Sequence, residues 1–578
     1  MRLMISSSRN AKSFYIIRSI TKNGKNSSEI IKKLGTESYI KKTYGVDDAL
    51  AWAKAEVQRM NDEEKQLKSI DRLVKFSTTT QIKTGNINCY NAGYLFLQRI
   101  YYQLGLPTIC KNVTARYGYE YDLDNVLSRL VYGRILYPSS KLSCMEQSKM
   151  LLEAPKFELH HIYRALSVLA KDSDYIQSEL YKRSRKLVDR KTGVLFYDCT
   201  NYFFEIEQEE GLKQYGPSKE HRPLPIVQMG LLIDKTGIPL AFCINKGNQN
   251  EQLSLKPLEE QVMRDFELSK FVICTDAGLS SAANRKFNNY AERSFITTQS
   301  LKNLKKEYQD WALDPKGWRL DGSKKKYDIS KLEENEENKN KVFYKQQYIE
   351  DWDEERDISF NQNLIVTYSL KYKEYQAHIR EKQVQRAETL LLRKGEIDKR
   401  SQTDAKRFLK KTSATKDGEI ADMYSYEIDQ KKIDNEAKFD GFYAVCTNLD
   451  DDPAEIAKIN KSRWEIEESF RIMKTEFEAR PVFLQRDDRI EAHFLTCFIA
   501  LLVYRILEKQ LDEKYTCEEI IKTLRTMNMT KVGDEGYIPA YTRTEITDSL
   551  HDNAGFRTDY EITTKKGMAG VIRRSKGL

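Results

Sequence analysis

Residues 13–20, Ser13-Phe-Tyr-Ile-Ile-Arg-Ser-Ile, alternate polar and apolar side chains, and a Lys-Asn-Gly-Lys turn signal follows at 22–25. A charged stretch of helical period covers 46–70. Together they predict a small hairpin-plus-helix module over residues 1–80. From 89 to 190 the apolar positions take helical spacing, as at Tyr94, Leu97, Ile100 and Tyr101, then Val126, Leu127, Leu130 and Val131. This predicts a compact helical domain over 85–190, for which helix-turn-helix DNA binding is one reading and plain buried packing the other.

The texture changes at Val194. Val194-Leu-Phe-Tyr is a short buried strand that ends on Asp198, and 226–244 reads as two strands joined by an Asp-Lys-Thr-Gly turn. Helical spacing over 251–266 leads to the strand Phe271-Val-Ile-Cys-Thr, ending on Asp276. A helix near 280–292 and the strand Ser294-Phe-Ile-Thr-Thr complete the run. Three strands in a meander, then helix, strand, helix, strand, is the order of an RNase H-like sheet, here over 191–300.

Residues 301–440 turn rich in Lys, Glu and Asn, with strand-like pieces such as Leu364-Ile-Val-Thr-Tyr and helical charge in 371–411, as an insertion would. The core pattern resumes over 441–510 with the strand Phe442-Tyr-Ala-Val-Cys-Thr, one long helix over 453–479 and an apolar helix at about 490–509. The stretch 511–578 holds a helix at 517–528 and a polar, turn-rich tail. No sequence repeat is visible. The predicted fold class is multidomain α/β: an RNase H-like (retroviral-integrase-like) core with a long insertion, preceded by a small α+β module and a helical domain.

Length agrees, since 578 residues imply about three or four domains. No uninterrupted apolar stretch reaches the ~18–20 residues that span a bilayer, and the basic N-terminus lacks an apolar secretion core. A cytoplasmic protein without a membrane partner is expected. The net charge of +9 is a small difference between 95 basic and 86 acidic residues. It permits nucleic-acid binding without requiring it, through local patches such as Lys302, Lys305 and Lys306, or Arg573, Arg574 and Lys576. Nine scattered cysteines form no CxxC pair and six histidines no HExxH, which leaves carboxylates as the ligands for any metal.

Three acids stand out by position. Asp198 ends one apolar strand, Asp276 ends another, and Glu467 lies on the long helix. A single Asp beyond a strand is more often a turn residue, but carboxylates that converge at strand ends suit two Mg²⁺ ions and an in-line displacement at phosphorus. At 100° per residue Arg463, Glu467 and Lys474 fall within roughly 40° of one another. Ile459, Ile466, Phe470, Met473 and Phe477 make a separate apolar stripe. The competing reading is a surface Arg–Glu pair worth ~0.3–0.5 kcal/mol. Glu205, Glu207, Glu209 and Glu210 read as a solvated loop, and Trp464, opposite the stripe, as a domain-packing residue rather than a base-stacking one.

The spacing Asn460-x2-Arg463-x3-Glu467-x6-Lys474 resembles the Tyr-x2-Arg-x3-Glu-x6-Lys signature of insertion-sequence DDE transposases, the insertion-sequence-four superfamily, with Asn460 in place of the Tyr. Tyr197-Asp-Cys-Thr-Asn-Tyr-Phe-Phe-Glu205 and Thr275-Asp-Ala-Gly-Leu279 are similar to its first and second Asp motifs. Gly216-Pro-Ser-Lys-Glu-His-Arg222, Lys246-Gly-Asn248, Asp440-Gly-Phe-Tyr, Phe470-Arg471 and Ala479-Arg-Pro481 are similar as well. The resemblance covers about 190–510. It implies a catalytic, metal-binding triad of Asp198, Asp276 and Glu467, with two Mg²⁺ ions for which Mn²⁺ can substitute. It implies DNA contacts from Arg463, Lys474, Arg471, Lys219 and Arg222. The implied partners are element-end DNA, target DNA and a second copy of the chain in a synaptic homodimer, acting at the bacterial nucleoid. A nuclease that cuts without joining, and a DNA-binding derivative without catalysis, are the alternative readings.

Overall fold

The alternating N-terminal run forms the middle of a three-stranded antiparallel sheet, β1 (Arg2–Ser7), β2 (Lys12–Lys22) and β3 (Lys25–Thr36), in this computed structural model. The structure describes residues 1–8, 11–22, 25–67, 74, 76–353, 358–392, 404–412 and 425–578. Parts of the expected turn at 22–25 and of the charged stretches 46–70 and 371–411 thus lie outside the described residues. Helices α1 (Glu37–Tyr44) and α2 (Ala49–Leu67) follow β3. Phe14, Ile16 and Leu34 from the sheet pack with Ile40, Ala49, Ala53 and Val57 from the helices. Two register shifts, at Phe14/Tyr15 and Ile16/Ile17, interrupt the pairing of β2 with β3. They break the period of two along β3, so the sequence shows a hairpin where the structure has three strands. Met1–Thr84 forms one compact unit and Gly85–Leu578 another.

In the second unit, β4 (Cys89–Asn91) leads into six helices: α3 (Tyr94–Gln103), α4 (Leu106–Tyr117), α5 (Leu123–Leu136), α6 (Lys141–Ser148), α7 (Leu159–Lys171) and α8 (Ser173–Ser184). The first strand of the large sheet, β5 (Val194–Phe203), does not stop at Asp198: Cys199, Tyr202 and Phe203 are buried and continue the pairing. After it come β6 (Ile226–Asp234), β7 (Pro239–Lys246), α9 (Leu255–Asp265), β8 (Phe271–Thr275), α10 (Ala282–Asn288) and β9 (Arg293–Gln299). These strands stand in the order β7-β6-β5-β8-β9, with β5–β6–β7 antiparallel and β5, β8 and β9 parallel. This is the mixed sheet of an RNase H-like fold.

Residues 301–440 were expected to stand outside the core. Instead, after α11 (Lys306–Leu313), β10 (Trp318–Leu320), β11 (Lys326–Tyr327) and α12 (Glu336–Lys339), two long strands, β12 (Phe343–Asp353) and β13 (Ile358–Tyr368), join the core sheet. Next come α13 (Leu370–Leu391), the pair β14 (Leu409–Thr412) and β15 (Ser425–Ile428), α14 (Gln430–Ala437) and β16 (Phe442–Thr447). β16 pairs with both β13 and β9 and so carries the sheet to ten strands. The edge of β9 is thereby covered rather than left open to pairing with another chain.

The single helix expected over 453–479 is two, α15 (Pro453–Lys461) and α16 (Trp464–Thr475), separated at Ser462 and Arg463. The break is shallow, since both residues keep right-handed helical φ (−67° and −62°) with ψ relaxed to −3° and −15°. Behind α16 runs α17 (Asp487–Gln510), buried along Ile490–Leu507. It is long and apolar enough to cross a membrane, but 94% of its apolar window is buried inside the protein, against α3, α5 and α7 among others.

The expected tail is structured. It comprises α18 (Cys517–Thr526), β17 (Asn528–Val532), β18 (Gly536–Pro539), α19 (Glu545–Ala554), β19 (Thr563–Thr564) and α20 (Lys565–Ser575). β17 pairs with β4, and Asn91 Nδ2 donates to the Leu524 carbonyl at 2.8 Å. The tail thus closes the helical body of residues 94–184, a pairing too distant in sequence for local pattern to show.

Candidate active site

β5 and β8 run parallel in register, with Leu195 opposite Ile273 and Phe196 opposite Cys274. Two residues further along, the same register sets Asp198 level with Asp276, and the period of two puts both on the face of Phe196 and Cys274. That face packs under α16 and α17, sharing one core with Ile466 and Phe470. Asp198 accepts the Cys199 N–H at 2.7 Å, and Asp276 caps the turn 277–279 by accepting the Leu279 N–H at 3.0 Å. Burial raises the Asp198 carboxyl to about 6, against the attraction of Lys219, and the neighbouring Asp276 charge adds to the rise. Two carboxylates so placed could hold a cation, and an all-oxygen donor set would suit Mg²⁺ or Mn²⁺.

Glu467 sits differently. Its side chain is 64% exposed, and its Oε1 lies 4.0 Å from Arg463, which is 16% exposed. Among the described residues the one trio of potential ligands within 4.8 Å of one another is Asp548, His551 and Asp559, so Asp198, Asp276 and Glu467 are spaced more widely than that. Arg463 links the two sides of the site: its charge acts on Asp198 and on the Cys274 thiol, and its Nε is buried without a hydrogen-bond partner.

The lysines close in on β5. Lys474 Nζ donates to Thr200 Oγ1 at 2.5 Å. Burial, with the nearby Lys219 charge, pushes its ammonium down to about 8. Lys219 Nζ donates to the Cys199 carbonyl at 2.5 Å and lies 3.8 Å from Glu251. Its loop is pinned by Asn201, which donates to the Pro217 carbonyl at 3.0 Å and accepts the Lys219 N–H at 3.3 Å. The glycine motifs meet behind it: a Cβ on Gly216 would come within 2.0 Å of the Gly247 carbonyl oxygen. Arg222 stands 4.3 Å over the Phe203 ring and 3.6 Å from Glu220.

Other expected contacts are engaged elsewhere. Arg471 is gripped at 2.6 and 2.7 Å by Glu468 on its own helix. Lys302 pairs with Glu436, Lys306 with Asp310 and Lys576 with Glu153, so part of each basic patch is neutralised. Trp464 does not pack into the domain; it is 56% exposed. Asn460 points inward, donating to the Tyr443 hydroxyl at 2.7 Å. Thr200, Asn201, Glu251 and Tyr443 escaped the sequence reading. Thr200 and Asn201 lie inside the first Asp motif and Tyr443 closes the Asp440-Gly-Phe-Tyr motif, so all three could have been found there, whereas Glu251 carries no local signal.

A family model described as "Transposase DDE domain" matches residues 203–503, more than half of the chain. The match spans Asp276, Glu467 and Lys474 and begins five residues after Asp198. A piggyBac transposase synaptic complex with hairpin DNA is 8% identical, with 83% of this chain and 85% of that chain covered at a TM-score of 0.37. A Mos1 transposase paired-end complex with the left transposon end is 11% identical, covering 44% and 68% at a TM-score of 0.13. Both are distant likenesses. No curated protein matches the sequence. The extent of the family match, over the sheet that carries Asp276 and the helix that carries Glu467 and Lys474, places this chain in the DDE transposase family.

Proposed function

We propose that this DNA transposase serves a bacterial insertion sequence: it binds the element's ends, hydrolyses a phosphodiester there and joins the 3′ ends to target DNA. The observation that carries the reading is the parallel register of β5 and β8, which continued by two residues sets Asp198 beside Asp276, with the charges of Asp276, Lys219 and Arg463 acting on the Asp198 carboxyl and Lys474 close by. Asp198, Asp276 and Glu467 would hold two Mg²⁺ ions, or Mn²⁺ in their place. When bound, such a pair activates the attacking oxygen and stabilises the leaving one.

The protein's own groups do the positioning. Lys474 and Lys219 present ammonium groups beside β5, where a phosphate of the element end would replace Thr200 and the Cys199 carbonyl as their partners. Arg463 offers a planar fork with a buried, unpaired Nε, the donor that a phosphate oxygen would satisfy. Arg222 and Arg471 would join the contact only by exchanging Glu220 and Glu468 for a phosphate. A second copy of the chain would hold the other end in a synaptic homodimer.

The test is Mg²⁺-dependent nicking of a labelled element end by Asp198→Asn, Asp276→Asn and Glu467→Gln. Each should abolish cleavage and leave end binding in place. Retention of more than about a tenth of activity in all three would remove the assignment. Joining of a pre-cut end to a target plasmid separates a transposase from a nuclease that only cuts.

A further inference from the structure

Glu251 borders the site without belonging to the three expected acids. It opens the turn 251–253 between β7 and α9. Asn250 Oδ1 accepts the Gln252 N–H at 3.1 Å, and the Glu251 carbonyl accepts the Ser254 hydroxyl at 2.5 Å. Gln252 Nε2 donates to the Gly278 carbonyl at 3.0 Å, and Asn284 Nδ2 donates to the Gln252 and Leu279 carbonyls at 3.1 and 3.0 Å. These bonds fasten the turn of Glu251 to the turn that Asp276 caps. None of them uses the Glu251 carboxylate, whose Oε1 instead lies 3.8 Å from Lys219 Nζ.

Lys219 stands between two carboxylates. Its charge acts on Asp198, yet among the described residues no ion pair within 4.0 Å joins the two; the ammonium rests on the Cys199 carbonyl and faces Glu251. Asp198 Oδ1 accepts the Cys199 N–H, and its Oδ2 has no hydrogen-bond partner among the described residues. A lysine ammonium is a mobile point charge with three donors, and on Oδ2 it would occupy the oxygen that a cation needs. Lys474, the other ammonium on which the Asp198 charge acts, is likewise held by a different oxygen, Thr200 Oγ1. We propose that Glu251 is a positioning residue, which holds the Lys219 ammonium off Asp198 and so keeps that carboxylate open to the cation; the proposal rests on the metal-site reading above. The fastened turn keeps Glu251 in place when Lys219 moves. A phosphate arriving at the site then takes Lys219 from Glu251 rather than from a metal ligand, so cation and DNA do not compete for one group.

The experiment titrates Mn²⁺ into the full chain without DNA at physiological salt and reads free Mn²⁺ by its electron paramagnetic resonance signal. Wild type should bind, and Asp198→Asn should lose that binding. Glu251→Gln should weaken it about tenfold, the factor expected if Lys219 then occupies Asp198 about nine-tenths of the time. In a Lys219→Gln background no ammonium competes. There Glu251→Gln should cost less than about threefold, the effect of one distant, screened charge. Thermal unfolding checks each fold, which the Glu251 change should leave intact because the turn's bonds do not involve the carboxylate. An equal loss from Glu251→Gln in both backgrounds would make Glu251 a direct ligand of the cation and overturn the positioning role. No loss from Glu251→Gln in the wild-type background would overturn it too, with the metal-site reading untouched. A wild-type chain that binds no Mn²⁺, or an Asp198→Asn chain that binds it normally, would remove the metal-site reading and this inference together.

Discussion

Replacing Arg463 or Lys474 by alanine separates a positioning role from a decorative ion pair, because the two roles predict opposite balances of stability and rate. Arg463 meets Glu467 only at 4.0 Å, and Glu467 is 64% exposed, so their pair is worth at most about 0.5 kcal/mol. The buried, unpaired Nε of Arg463 is itself a cost of about 1–3 kcal/mol that alanine relieves. Arg463→Ala should therefore leave stability within about 1 kcal/mol of wild type. Lys474 is already held with its ammonium pushed down to about 8 by burial, so Lys474→Ala removes a charge that the free protein tolerates poorly. Both variants should be folded. Both should nick pre-bound, saturating DNA roughly tenfold to thousandfold more slowly, since a ~1 Å misplacement of the reacting phosphate can cost ~10² in rate. Arg463→Lys should recover part of that loss, because a lysine restores the charge without the two-pronged grip. The measurements are thermal unfolding and single-turnover nicking. Normal nicking in both alanine variants, or loss of nicking that tracks loss of fold, would refute the reasoning.

Two further predictions concern the scaffold. Glu259 is buried beside Asn288, which donates to both its oxygens at 2.9 and 3.1 Å, and burial raises its carboxyl to about 8. Because the folded value lies above the unfolded one near 4.5, its contribution to stability is full below about pH 4.5 and lost as pH rises toward 8. Glu259→Gln should match wild type at pH 4 and exceed it by about 3 kcal/mol at pH 7 in denaturant titrations; parallel pH profiles would sink this. Gly230 on β6 lies against Tyr197, whose hydroxyl would stand 2.2 Å from an added Cβ. Gly230→Ala should therefore destabilise by about 1–3 kcal/mol, and an unchanged melting temperature would count against the packing described.

Much of the core was legible because β5, β6 and β8 are buried on both faces and therefore appear as apolar runs bounded by turns. The extent of β5 was misread because a charged Asp198 looks like a strand end, although Tyr202 and Phe203 continue the burial. The break between α15 and α16 was not legible: no Pro or Gly marks it, and Arg463 keeps the helical phase across it. The wheel that set Arg463, Glu467 and Lys474 on one edge gave direction but not reach. Lys474 turns back to Thr200 and Glu467 turns out to solvent. The joining of β12 and β13 to the core sheet, and of β17 to β4, depends on partners far away in sequence, which local period cannot encode.

The seam between β4 and β17 also sets a clock. Asn91 and Leu524, joined by a hydrogen bond, are 433 residues apart. At a synthesis rate of about 5–20 residues per second, roughly 20 to 90 s pass between the emergence of one partner and that of the other. Through that interval the helical body has its first strand without a neighbour and Gly93 without the Leu524 backbone that packs on it. A chain whose translation stops early, before Asn528, never closes the seam. The helical body and the large sheet share one hydrophobic core, so such a product leaves the unit Gly85–Leu578 without its closing strand.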